Sequence, residues 1–277
     1  REDVLLREVH REDLQEKISY KPMVSDIDIE NDPIYRTEIY SETYPYVAIV
    51  NMQSVRLVSK LEREGITIPK MRYFGYYKAI TNTEGLGFLG FTKIGSTNWN
   101  EPYKYNNQTY TQKVMNPHLR GALMEDFSLN YIVSTSSYTP TDYFQKTSYQ
   151  YTDALSPNKV FKLQLTQQTT EDRLSGLTTT NNFSYDADGN LTEQRAQTDG
   201  YSQSTRVSYL PKSESPYFSG LPQQKETTTT LAGDSFSTAE TFAYDKGLLT
   251  THKTQGNGTA WRTTAYRYDQ YGNITEQ

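Results

Sequence analysis

The chain has 277 residues, with 28 lysines and arginines against 33 aspartates and glutamates and a formal net charge of −5. No basic run is present to track a phosphate backbone, which argues against nucleic acid as a partner. Cysteine is absent, which excludes a disulfide framework and any thiolate nucleophile or metal ligand, and no stretch approaches the roughly 20 apolar residues of a membrane-spanning helix or opens as a signal peptide.

Mean hydropathy is −0.78 and 35% of the residues are hydrophobic, poor material for a dense core. Yet 24 tyrosines and 10 phenylalanines, with many threonines, favour strands and are out of place in a disordered chain. A sheet wet on one or both faces is expected.

In chain order, residues 1–20 carry Glu/Arg pairs that would suit a helix, but residues 3–9 and 16–22 alternate as two strands around a polar connection, and a hairpin is expected. The acidic stretch 25–33 offers clustered oxygen ligands for calcium. It lacks the glycine of a coordinating turn and is read as a solvated connector. Val47 and Ile49, then Val55 and Leu57, read as two strands.

Residues 66–91 are the strongest landmark outside the repeats, ending in Gly85-Leu86-Gly87-Phe88-Leu89-Gly90-Phe91. No helical period follows to supply phosphate-binding amides, so the glycines are read as strand bends or close backbone approaches, with Phe88 and Phe91 supplying buried area. After Trp99, Tyr103-Lys104-Tyr105 and Pro117-His118-Leu119-Arg120-Gly121, short strands alternate with polar turns. These include residues 131–133, 148–151 and 160–163, and later a turn at 217–222 leading into the threonine run 226–230.

The pattern that organises the chain is Phe183-Ser184-Tyr185-Asp186-Ala187-Asp188-Gly189-Asn190-Leu191-Thr192, which returns as Tyr266-Arg267-Tyr268-Asp269-Gln270-Tyr271-Gly272-Asn273-Ile274-Thr275. Aromatics at i and i+2 share one face of a strand, and the Asp and Gly-Asn that follow make a tight reversal in which glycine takes positive φ. A third copy, Phe242-Ala243-Tyr244-Asp245-Lys246-Gly247-Leu248, lacks the asparagine, and its turn is expected to be one residue shorter. The intervals of 59 and 24 residues between the three tyrosines fit no strict solenoid period.

Tyr-Asp-x-x-Gly-Asn-[Leu/Ile]-Thr resembles the YD repeat of bacterial Rhs proteins, of insecticidal toxin-complex B and C components and of teneurins. The glycine-rich stretch at 85–91 is similar to one in the toxin-complex and Rhs-like shells, with Leu86 where arginine is common. Residues 16–22 resemble the strand that precedes the first repeats in B components. The match at Pro117–Gly121 is one residue too long.

The resemblance implies an all-β fold of consecutive antiparallel hairpins in a curved, spiralling YD-repeat sheet, part of a hollow shell. Residues 1–125 would be the segment preceding the repeats, and 126–277 a shell segment continuous with it. The function implied is non-catalytic: to encapsulate or present a toxin or other polypeptide, as part of a longer secreted or bacterial cell-surface chain. An extracellular adhesion module whose exposed Tyr and Trp bind glycans or proteins is the alternative, and a β-rich glycosidase a third reading.

No chemistry-bearing constellation emerges from the residues. His10, His118 and His252 are scattered, Asp186-x-Asp188-x-Asn190 lacks the glycine and the twelfth-position glutamate of a calcium loop, and Glu125-Asp126 point to opposite faces of a strand. Sequons occur at Asn107, Asn182, Asn190, Asn257 and Asn273; two of them, Asn190 and Asn273, belong to the repeat turn itself, so chance and turn chemistry explain them without sugar. No catalytic, cofactor or metal residue is expected.

Overall fold

The computed structural model describes residues 5–25, 34–38, 42–65, 68–101, 108–130, 140–152, 161–214 and 217–277. Strands dominate, and no α-helix occurs among the described residues. The chain forms two compact units, Arg1–Tyr149 with Asp172–Ser175, and Gln150–Glu171 with Gly176–Gln277. The expected boundary after residue 125 falls inside a strand.

The first unit contains β1 (Glu8–Arg11), β2 (Leu14–Val24), β3 (Tyr35–Arg36), β4 (Tyr46–Ile49), β5 (Asn51–Glu64), β6 (Lys70–Asn82), β7 (Gly87–Thr97), β8 (Tyr110–Asn116) and β9 (Ala122–Leu129). β10 (Gln145–Tyr151) pairs antiparallel with β9. An N-terminal hairpin is present, but its first strand is residues 8–11 and not 3–9: β1 meets β2 across a two-residue turn, with Arg11 opposite Leu14, inside the stretch expected as the polar connection. Pro22 is tolerated in β2 because the ladder to β5 shifts register between Pro22 and Met23.

β6 organises this unit. Along one edge it pairs with β5 at residues 70–73, with β3 at residues 76–77 and with β4 at residues 79–82, while β7 lies along the other. The β3 pairing is parallel, a departure from uniform hairpins. Burial accounts for it: Tyr35 is fully buried with Met23, Leu57 and Ala79. Its hydroxyl donates to the Ile49 carbonyl and accepts from the Ala79 amide at 3.1 Å, so the phenol docks β3 against β4 and β6 at once.

The second unit contains β11 (Leu165–Asp172), β12 (Leu177–Tyr185), β13 (Leu191–Thr198), β14 (Tyr201–Tyr209), β15 (Ser213–Glu214), β16 (Tyr217–Phe218), β17 (Pro222–Leu231), β18 (Asp234–Asp245), β19 (Leu248–Gly256), β20 (Arg262–Ala265), β21 (Arg267–Tyr268) and β22 (Ile274–Glu276). β12, β13, β14, β17, β18, β19 and β20 pair in that order, all antiparallel. Of the strand expected at 160–163, Phe161 makes only an isolated bridge and the ladder begins at Leu165. Residues 131–133, and most of the acidic stretch, lie outside the described residues.

No described residue of this unit is fully buried, so a packed core does not hold it. Side-chain rungs on both faces contribute instead. Thr205 and Thr227 share a hydroxyl bond at 3.1 Å, as do Thr228 and Ser237 at 3.1 Å, and neighbouring residues such as 227 and 228 point to opposite faces. Near the turns the sheet is sided: Phe183, Tyr185, Phe242 and Tyr244 are half-buried, whereas Asn182, Ser184 and Ala243 are exposed.

Candidate functional site

The repeated turn is held by a carboxylate fork. Asp186 Oδ1 accepts the Asn190 backbone amide at 2.8 Å and Oδ2 accepts the Asn190 side-chain amide at 2.8 Å. Asp269 holds Asn273 in the same way, at 2.9 Å for both bonds. In each turn the aspartate amide donates to the asparagine carbonyl, and the glycine amide donates back to the aspartate carbonyl.

This geometry explains the residue types. Only a short acceptor with two oxygens can grip both amides, and the reversal puts Gly189 at φ 94° and Gly272 at φ 85°, where an L side chain is strained. Because the fork favours the charged form, hydrogen bonding from Asn190 and Asn273 lowers the pKa of Asp186 and Asp269 respectively. The third copy turns more tightly. Tyr244 faces Leu249 where Tyr185 faces Leu191, and Lys246 and Gly247 both take positive φ, at 50° and 84°, as a two-residue type I′ turn requires.

The tyrosine before the turn has its own role. Tyr185 donates to the Leu165 carbonyl at 2.9 Å, Tyr209 to Leu191 at 2.8 Å and Tyr268 to Leu249 at 2.7 Å. In each case a register shift immediately precedes the tyrosine, and such a bulge re-aims the side chain. Burial raises the pKa of Tyr185, Tyr209 and Tyr244.

Tyr209 has no place in the sequence reading, because Leu210-Pro211 follows it rather than Asp. The missed signal was the pair before the turn: Val207-x-Tyr209 matches Phe183-x-Tyr185, Phe242-x-Tyr244 and Tyr266-x-Tyr268. With it included, the intervals between the tyrosines become 24, 35 and 24 residues, and the longer one contains the β15–β16 hairpin.

The turns lie in a row. Lys162 Nζ donates to the Ala187 carbonyl at 3.2 Å. A side chain at Gly220, in the connection carrying β16, would come within 3.0 Å of the Asn190 side-chain oxygen, and one at Gly272 within 4.0 Å of Leu248. Nearby, Glu240 bridges Lys225 at 2.8 Å and His252 at 2.9 Å, and the His252 ring stacks on Phe242. The Glu240 pKa is lowered, chiefly by the Lys225 bond.

In the first unit, Gly85 lies in the β6–β7 turn, Gly87 opens β7, and Gly90 sits at φ 104° where the ladder shifts register. Nothing stands within 4 Å of where a Cβ would lie at any of the three. Backbone conformation, and not close approach, is what calls for them. Phe91 packs against the core cluster, but Phe88 is 56% exposed, which corrects the expectation that both are buried.

Each histidine sits beside its own glutamate, His10 with Glu8, His118 with Glu42 and His252 with Glu240. Among the described residues no group of three or more His, Asp or Glu could hold one metal ion. Asp186 and Asp269 are engaged by their turns. What the arrangement offers is cross-strand fastening.

No protein-family model matches the sequence, and no curated protein matches it significantly. Solved structures do. The crystal structure of TcdB2-TccC3-Cdc42 matches 87% of this chain with a TM-score of 0.56 at 9% identity. That of TcdB2-TccC3 without hypervariable C-terminal region matches 87% with a TM-score of 0.55 at 9% identity. This chain spans 17% of the length of each matched chain. It therefore has the all-β, antiparallel fold of the YD-repeat shell that its turn motif resembles.

Proposed function

We propose that this chain is a non-catalytic segment of a YD-repeat wall that encloses or presents a toxin or other polypeptide. The observation that carries the reading is the coincidence of fold and motif: the chain matches the TcdB2-TccC3 shell over 87% of its length, and its Tyr-Asp turns are spent on fastening one hairpin to the next. Its partners are the remainder of a longer chain and an enclosed polypeptide, with residues 1–125 leading into the wall and 126–277 forming it. The setting is secreted or at a bacterial cell surface. Among the described residues no helix is long and apolar enough to cross a membrane.

The coreless sheet of the second unit suits this role. A wall excludes protease and solvent by continuity and needs no active centre, and a sheet wet on both faces can be continuous without a packed interior. The test is limited proteolysis and electron microscopy of the full-length parent. A hollow particle that includes these residues, with a segment spared from protease until the wall is breached, is expected. A solid particle, or a segment cut equally before and after breaching, overturns the reading.

A further inference from the structure

The hairpin tip between β19 and β20 carries chemistry that the fastening role does not use. It contains the one Asn-Gly pair in the sequence, Asn257-Gly258. Both residues are exposed in a turn, and Asn257 takes φ 41°. Nothing lies within 4 Å of the space a Gly258 side chain would fill. Among the described residues the Gly258 amide makes no hydrogen bond, so it is free to lose its proton to solvent base.

We propose that Asn257 is a site of spontaneous modification, in which the Gly258 nitrogen attacks the Asn257 side-chain carbonyl. The new N–Cγ bond closes a succinimide as the Cγ–NH2 bond breaks, and the side-chain nitrogen leaves as ammonia carrying the amide proton. Water then opens the ring. Opening at Cγ gives aspartate, and opening at the backbone carbonyl gives isoaspartate, with the chain rerouted through Cβ. No oxidant, metal or enzyme is required.

The chain supplies its own contrast. Asn190 and Asn273 also occupy turns of this unit, but their side-chain amides are held in the Asp186 and Asp269 forks. Leu191 and Ile274 follow them, and bulk there hinders ring closure. The backbone amide of Asn257 is anchored on the Ser237 carbonyl at 2.5 Å, but its side chain is held loosely, its oxygen receiving the Ser237 amide only at 3.5 Å. Rerouting through Cβ lengthens this connection and disturbs that cap, so modification loosens the β19–β20 hairpin with age.

The test incubates the folded chain at mildly alkaline pH and maps it by trypsin and mass spectrometry, with isoaspartyl methyltransferase labelling. The fragment spanning residues 254–262 should gain the mass of NH2 replaced by OH, and the methyl label, well before fragments carrying Asn190 or Asn273. Asn257→Gln should abolish both signals at this site while leaving the circular dichroism unchanged. If Asn257 survives as long as Asn190 and Asn273 in the folded chain, or reacts only in denaturant, the turn protects it and the proposal is wrong.

Discussion

Replacing Tyr185, Tyr209 and Tyr268 by phenylalanine tests whether the hydroxyls fasten the sheet. Each substitution keeps the ring and removes one bond, to the carbonyl of Leu165, Leu191 or Leu249 respectively. A hydrogen bond of this kind contributes about 0.5–1.5 kcal/mol net, toward the upper end where the stranded carbonyl cannot be rehydrated. The three bonds share no partner, so their losses should add to roughly 1.5–4.5 kcal/mol, against a typical domain stability of about 5–15 kcal/mol. Trp99 lies in the first unit and Trp261 in the second, so urea titration in a Trp99→Phe background reads the second unit by fluorescence. A lowered midpoint with the slope unchanged is expected. If the triple variant unfolds with wild-type midpoint while Tyr→Leu variants fall sharply, the rings hold the sheet and the reasoning about hydroxyls fails.

Gly189→Val and Gly272→Val should each cost about 1 kcal/mol or more, because both sites lie at φ near 90°; unchanged midpoints for both would refute the turn geometry. Acidification should loosen the turns. The pKa values of Asp186 and Asp269 are lowered in the folded state, so their stabilisation is present above the ordinary carboxylate range and is lost as pH falls through the lowered folded values. Asp186→Asn combined with Asp269→Asn should flatten that acid limb in a pH-resolved melting series. Tyr35→Phe should be more damaging than any of the turn tyrosines, at about 1–3 kcal/mol or more, since it strands the buried Ala79 amide. Burial raises the Tyr76 pKa to about 12. Its stabilising effect is therefore complete below about 10, the unfolded value, and is lost as pH rises toward 12. An alkaline limb that Tyr76→Phe makes shallower, the other half-buried tyrosines keeping their share, is the expected result.

Legibility followed locality. The Tyr-Asp turns could be read because their fork closes within five residues, Asp186 to Asn190, and because glycine at positive φ leaves a mark at a fixed offset. The hydroxyl bond from Tyr185 to Leu165 spans 20 residues, and no offset in the sequence marks its acceptor. β3 was illegible for a related reason. Tyr35-Arg36 is too short to show alternation, and its place beside β6 is set by a phenol that reaches residues 49 and 79. Phe88 was misjudged because an aromatic in a glycine-rich strand looks buried, while the register shift at Gly90 leaves it 56% exposed.

The 24-residue interval also bears on why the second unit holds together without a buried core. A hairpin that starts at one tyrosine, turns, returns and comes out again brings the next tyrosine to the same edge two strands further on, as Tyr209 follows Tyr185 and Tyr268 follows Tyr244. Its hydroxyl then reaches the strand that the preceding turn began: Leu191 opens β13 and accepts Tyr209, while Leu249, near the start of β19, accepts Tyr268. Each repeat is thus fastened to the return strand of the one before it. Fastening of that kind depends on neighbours alone and does not require the sheet to close on a core, as expected of arrays stabilised by nearest-neighbour contacts. An insertion that preserves the order of strands is tolerated, which is what the 35-residue interval with its β15–β16 hairpin displays. Deleting residues 211–220, which brings the interval to about 25 residues, close to the shorter one, should therefore leave the Tyr209 bond and the β14–β17 ladder intact; slowed amide exchange in β17 would be retained, and its loss would show that the excursion itself supports the sheet.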